Sequence, residues 1–334
     1  MTDIEVHLPV ATQPTVETLL AYARTAEANG YDCVWLPETW GRDAVTILSL
    51  IARETEQVAV GSSILNTYSR SPALLGQTAA TLQEVADGRF RLGIGPSGPM
   101  VVENWHGQEY GNPLRRTRET IEILRQVLSG EPVEYDGREF SLSGFRLRCE
   151  PPEPTPPIEV TGMGPKAVEL AGRFADGWHG IMLTPDGLRE RLEDLDRGAA
   201  LGERDSGEVR VRTGVVCCGL EDESRARDLV RQHIAFYVGG MGTFYRDALS
   251  RQGYAEAEEI HDAWRADDRE RALELVSDDL LEELCAVGTH EDASAGLERF
   301  ESVEELDAIV VSFPRGASEA EIRETMGALA PDRR

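Results

Sequence analysis

Short apolar runs alternate along the chain with longer stretches in which apolar residues recur every three or four positions. Eight runs read as strands, over 4–9, 33–37, 58–64, 90–95, 157–162, 177–182, 209–218 and 306–313. Between them the spacing predicts helices, clearest over 16–28, 44–53, 72–86, 114–128, 166–174 and 188–200. Strand–helix alternation specifies an α/β fold with a parallel sheet, and eight units favour a closed (β/α)8 TIM barrel over an open sheet.

Two segments break the rhythm. "EPVEYDGREFSLSGFRL" (131–147) reads as a hairpin turning at Asp136-Gly137 and continues into the stiff connector "CEPPEPTPP". The other is a helical excursion over 224–284, broken by "VGGMGTF" (238–244). Each is shorter than a self-sufficient core needs, so the chain is expected to be one domain, 1–334. The rim insertions then lie near 131–156 and 224–285.

Composition narrows the function classes. Sixty acidic residues face 34 basic ones in 334 residues, a formal net charge of −26. The acidity is spread along the chain, so the surface repels anions, which argues against partners such as nucleic acid or an anionic membrane. A hydrophobic fraction of 41% still specifies a folded chain. Lys166 is the sole lysine. A folded, acidic, lysine-poor protein is expected of a halophilic source, where screening makes self-repulsion tolerable. The five cysteines form no CxxC pair, so neither a metal site nor a disulfide framework is expected. No apolar stretch reaches the roughly 18 residues of a spanning helix and no basic-then-apolar leader opens the chain, so a cytoplasmic protein is expected.

In a parallel barrel the loops after the strands carry the chemistry. "PETWGRD" (37–43) follows the second strand and offers Glu38 and the flat wall of Trp40; the alternative pairs Glu38 with Arg42 and packs Trp40 under a loop. "GSSILNTYSRSP" (61–72) follows the third. Its small residues, then Asn66, Tyr68 and Ser69, suit a wall on which a ring system lies, while Ser71-Pro72 starts the next helix as N-cap and first turn. "GIGPSGPMVVENWHG" (93–107) permits close backbone approach and carries Glu103 and His106 as candidate acid–base groups. "VTGMGPKAV" (160–168) places Gly162, Met163, Gly164 and Pro165 at a helix start with Lys166 behind them. Exposed amides and the helix dipole attract phosphate there; the alternative is a solvated lysine beside Glu169. "ADGWHG" (175–180) brings Trp178 and His179 to the same end, as site residues or as a packed pair. HExxH, Walker and local Ser/His/Asp signatures are missing, and no GxGxxG follows the first strand.

Taken together, "AEANGYDCVWLPETWGRDAVTILSLIA", "VAVGSSILNTYSRSPALLGQTAATLQEVADGRFRLGIG", "PPIEVTGMGPKAVELAGRFADGW" and "LDAIVVSFPRG" resemble the luciferase-like monooxygenase superfamily. Within it they are similar to the coenzyme F420-dependent branch that includes methylenetetrahydromethanopterin reductase. The resemblance implies a TIM barrel holding a deazaflavin at the strand C-termini. It implies a non-proline cis peptide at Ser63–Ile64 behind the ring, Asn66 beside it, and Gly95 and Ser97 facing the cofactor's side chain. Gly162, Met163 and Gly164 would hold the phosphate by backbone amides, and Gly177 and Trp178 would close that pocket. Glu103 falls where related deazaflavin dehydrogenases have an active-site glutamate.

One departure matters. Several of those dehydrogenases place a histidine after the strand-two acid, and here Thr39 follows Glu38. That argues against oxidation with histidine as base and fits a reductase, in which the protein positions two rings and excludes water. The expected activity is F420-dependent hydride transfer to or from a small organic substrate, methylene-tetrahydropterin-like compounds among the possibilities. The alternatives are an FMN-dependent monooxygenase and a non-catalytic flavin-binding relative. A homodimer is implied by the resemblance alone. Arg115, Arg116 and Arg118 are candidates to meet an acidic cofactor tail, against a solvated helix face paired with Glu119 and Glu122.

Overall fold

The computed structural model describes residues 2–10 and 15–331; residues 1, 11–14 and 332–334 of the expected domain lie outside the described residues. The chain begins with β1 (Asp3–His7), β2 (Cys33–Leu36), β3 (Ala59–Ser62), its short continuation β4 (Leu65–Asn66) and β5 (Phe90–Gly95). A hairpin, β6 (Val133–Asp136) and β7 (Ser141–Phe145), comes next. Then follow β8 (Ile158–Thr161), β9 (Gly177–Ile181), β10 (Arg210–Gly219), β11 (Cys285–Gly288) and β12 (Ala308–Ser312). The helices alternating with the strands are α1 (Val16–Ala28), α2 (Ala44–Glu54), α3 (Pro72–Val85), α4 (Pro113–Leu128), α5 (Pro165–Phe174) and α6 (Pro185–Leu201). The later excursion is α7 (Glu223–Gly240), α8 (Phe244–Arg251), α9 (Glu256–Arg265), α10 (Arg269–Glu274) and α11 (Asp278–Leu284). The last two helices are α12 (His290–Glu301) and α13 (Glu319–Ala328).

Each of the eight expected runs overlaps a strand of the parallel sheet. Its order is β12-β1-β2-β3-β5-β8-β9-β10, and β10 also pairs with β12, which closes the (β/α)8 TIM barrel. The ninth strand, β11, was not expected. It exists because β10 is ten residues long. Arg212–Val216 of β10 pair with β12, and Val216–Gly219 run on to pair with β11.

The chain divides into two compact units. One comprises Met1–Asp32, His179–Glu193 and Val211–Arg334. Its described core includes Val6, Leu8, Leu19, Ile309 and Phe300, and it buries polar groups as well. Arg212 and Glu5 lie 3.7 Å apart with their side chains at most 1% exposed. His179 and His233 are held neutral by burial, which lowers each imidazole to about 3; His7 adds to the effect at His179 and Arg315 at His233.

The other unit is Cys33–Trp178 with Asp194–Arg210. Trp35, Ile47, Phe90 and Trp178 are buried in it. As expected, Ser71 caps α3 by accepting the Leu74 N–H at 3.2 Å, with Pro72 in the first turn. The hairpin packs Val133, Tyr135, Phe140 and Leu142 on Ile123 and Val127 of α4. Its turn is fixed by Glu119, whose carboxylate accepts the N–H groups of Arg138, Glu139 and Phe140 at 3.0, 2.9 and 3.1 Å. Glu119 is therefore buried as a turn anchor. Of the solvated pairs expected on that face, the one between Arg118 and Glu122 forms, at 2.8 Å.

Candidate active site

Apart from His179, which falls in the first unit, the sequence-derived site residues belong to the second unit, and several are joined by direct contacts. Ser62 ends β3 with its hydroxyl donating to the Gly93 carbonyl at 2.9 Å and accepting the Gly93 N–H at 3.0 Å. A Cβ at position 93 would sit 1.9 Å from the Ser62 carbonyl oxygen, so only glycine allows the two strands to meet there. The Ser63–Ile64 peptide bond is cis, as the resemblance implies. On either side of it, Ser63 N–H donates to Leu36 O at 2.9 Å and Ile64 O accepts from Glu38 N–H at 3.3 Å. Asn66, 1% exposed, accepts the Tyr68 N–H on Oδ1 at 2.7 Å. Its Nδ2 is buried without a hydrogen-bond partner among the described residues.

Contacts then run from strand end to strand end. A Cβ on Gly95 would touch Thr161 Oγ1 at 2.9 Å and Ile64 Cγ1 at 3.3 Å, so Ile64, Gly95 and Thr161 form a continuous surface. Gly162 follows Thr161, and its carbonyl accepts the indole N–H of Trp178 at 3.0 Å. Trp178 is fully buried. Gly177 lies against Glu159, whose side chain a Cβ would meet at 3.0 Å. After Met163, Gly164 is the N-cap of α5 and offers no side chain to its first turn, where Pro165 stands. A helix start without a side-chain cap keeps backbone N–H groups free for an anion. Lys166, whose side chain is 75% exposed, gives its ammonium to Glu169 at 2.7 and 2.9 Å. Arg197 reaches the same carboxylate at 3.1 Å, and these bonds hold Glu169 below the usual carboxylate range, Lys166 contributing most.

The two candidate acids are placed very differently. Glu38, with its side chain 10% exposed, is clasped by Arg70 and accepts the Ser69 hydroxyl at 3.3 Å. Arg70 also reaches Asp43 at 3.1 Å. Where the sequence reading offers Arg42 as the partner, the structure supplies Arg70, a residue that reading missed although it stands in the quoted "NTYSRSP". Glu103 is exposed, with no hydrogen bond or ion pair to another described residue. It lies on a wide helical turn, Val101–Trp105, closed by the His106 N–H donating to the Val101 carbonyl at 3.1 Å. The structure does not join Glu103 to Glu38.

Ser97 has φ +60°, an unusual left-handed position for a residue with a side chain. Its carbonyl is held by the Tyr110 hydroxyl at 3.1 Å. Burial, with Tyr68 adding to it, pushes that phenol up to about 12, so it stays a donor. The Tyr68 hydroxyl donates in turn to the Tyr110 carbonyl, and Arg116 covers the Tyr68 ring at 4.5 Å. Trp40 is 45% exposed on its loop.

The donor set suits a flat, uncharged ring with an anionic side chain: an unmatched buried amide, a glycine-lined strand end and an uncapped helix start. Among the described residues no group of three or more His, Cys, Asp or Glu side chains is placed to hold a metal ion. Among them, too, no helix is long and apolar enough to cross a membrane.

The luciferase-like monooxygenase family matches residues 2–304. Rv3520c of Mycobacterium tuberculosis, provisionally named a coenzyme F420-dependent oxidoreductase, is 34% identical over 284 residues, covering 79% of this chain and 81% of its own. A 5,10-methylenetetrahydromethanopterin reductase of Archaeoglobus fulgidus is 29% identical over 278 residues, 81% of this chain and 82% of its own. Among solved structures, the coenzyme F420-dependent tetrahydromethanopterin reductase of Methanopyrus kandleri superposes with a TM-score of 0.85 at 23% identity, covering 99% of both chains. The family model spans most of the sequence, and the chain belongs to the luciferase-like monooxygenase family.

Proposed function

We propose that the protein is a coenzyme F420-dependent oxidoreductase acting on a small organic substrate, with methylene-tetrahydropterin-like compounds as the substrate class to test first. The observation that carries this reading is Asn66 Nδ2, a buried donor without a partner beside the Ser63–Ile64 bond. Buried amides are rarely left unmatched in a protein, and a carbonyl on a ligand ring would satisfy this one. The name of the Mycobacterium tuberculosis relative favours F420 over FMN.

Bound there, the 5-deazaflavin supplies a carbon that gives or takes a hydride. The chain supplies the rest. Ser63, Ile64 and Asn66 form the wall behind the ring, and Gly95 lets the backbone approach it. Ser97 bounds the side chain on the strand-five side. Gly162, Met163 and Gly164 offer amides to the phosphate, Pro165 sets the first turn of α5 beside them, and Lys166 adds long-range attraction. Gly177 and Trp178 close the floor. Among the acids, Glu38 is fixed by Arg70 and so orients the loop after β2, leaving Glu103 as the group free to exchange a proton with solvent. Thr39, in the position discussed above, has a buried hydroxyl without a partner and no basic nitrogen. That supports a reductive direction, in which a donor is useful and a strong base is not.

Equilibrium binding of F420 and of FMN at high salt, followed by fluorescence, tests the reading. Tight F420 binding with Asn66→Ala weakened about tenfold is expected, a loss of one ligand hydrogen bond. Binding of FMN alone would overturn it.

A further inference from the structure

Four cations of this strongly acidic chain converge on one outer groove of about 300 Å3 between α4 and α5. Arg115, Arg118, Lys166 and Arg173 line it with a single carboxylate, Glu169. Two of them are already spent: Lys166 on Glu169, and Arg118 on Glu122. Arg115 meets Glu139 only at 3.7 Å. Arg173 has no carboxylate partner among the described residues. Its guanidinium rests over the Phe174 ring at 5.1 Å, and Arg118 covers the same ring at 5.2 Å. Two guanidinium groups are thus pre-positioned on one aromatic plate, Arg118 held there by Glu122 and Arg173 with its hydrogen-bonding edge available. The groove also has a direction, since Lys166 stands two residues beyond Gly164, the uncapped N-cap of α5.

We infer that this groove is a track for an extended chain of carboxylates, the oligoglutamate portion of F420, leaving the barrel past the helix start; this rests on the cofactor reading above. Guanidinium forks match carboxylates in pairs. A short flexible oligoanion suits a local patch of this size, whereas a long polyanion would meet the repulsion of the whole surface.

The test measures binding of the deazaflavin lacking phosphate and glutamates, of F420 carrying no, two or five glutamates, and of free γ-linked pentaglutamate. Each is titrated at the lowest KCl concentration at which the protein stays folded. Affinity is expected to rise at least tenfold from the glutamate-free to the five-glutamate form. Arg173→Glu should remove that gain and leave the glutamate-free form binding as before, with Arg173→Gln intermediate. Equal affinity for all tail lengths, or a gain unchanged in Arg173→Glu, overturns the track while the cofactor reading stands. Pentaglutamate binding that Arg173→Glu abolishes, with no deazaflavin bound, supports the track for a free acidic peptide and overturns the cofactor reading. Binding of none of these overturns both.

Discussion

The loop after β3 and the loop after β5 each carry candidate site residues, yet they are built to opposite specifications. The first is short and buried, with Ser62, Asn66 and Ser69 all hydrogen-bonded and Arg70 fastening it to Glu38. The second is long and largely exposed, with Met100, Glu103 and Trp105 in solvent and the Tyr110 hydroxyl holding Ser97. One is a fastened wall, and the other is an exposed lip. A flat ring needs an unmoving surface behind it, while a substrate that enters and leaves needs a side that yields.

The comparison can be broken most forcefully at Gly93. Gly93→Val drives a side chain into the Ser62 carbonyl, and the loss should be about 3 kcal/mol or more, read from a denaturant midpoint. A midpoint close to wild type would mean that the wall is not rigid. Arg70→Met strands the Glu38 carboxylate, and about 2 to 3 kcal/mol should disappear from the same measurement. On the lip, Glu103→Gln should leave stability within about 0.5 kcal/mol yet cut turnover about tenfold, equivalent to about 1.4 kcal/mol of barrier. Unchanged turnover would remove Glu103 from the chemistry. Smallest of all, Tyr110→Phe should cost about 1 kcal/mol and shift KM more than kcat. Because the phenol titrates higher in the fold than in the unfolded chain, where it sits near 10, its contribution holds from neutral pH to about 10 and fades as pH climbs through about 12. A stability loss in Tyr110→Phe that varied between pH 6 and 9 would contradict this assignment.

The barrel strands were legible because buried strands leave unbroken apolar runs, and the hairpin because Asp136-Gly137 punctuates it. β11 was not, since Cys285–Gly288 follows α11 without a turn signal and owes its pairing to the length of β10. The Lys166–Glu169 pair could be read from one helical turn, whereas Glu38–Arg70 joins residues 32 positions apart across two loops. Glu119 misled for a related reason. Its neighbours in sequence are arginines, but its actual partners are amides of a hairpin about twenty residues on. The groove was the least legible feature, since no local pattern reveals that side chains of α4 and α5 share one surface.

The sole lysine has a practical consequence. With its side chain 75% exposed at the start of α5, Lys166 is the one side-chain amine that an N-hydroxysuccinimide ester can acylate. A dye coupled to that nitrogen would report on the groove, and an activated surface would hold every molecule by the same lysine side chain, leaving aside any reaction at an α-amine.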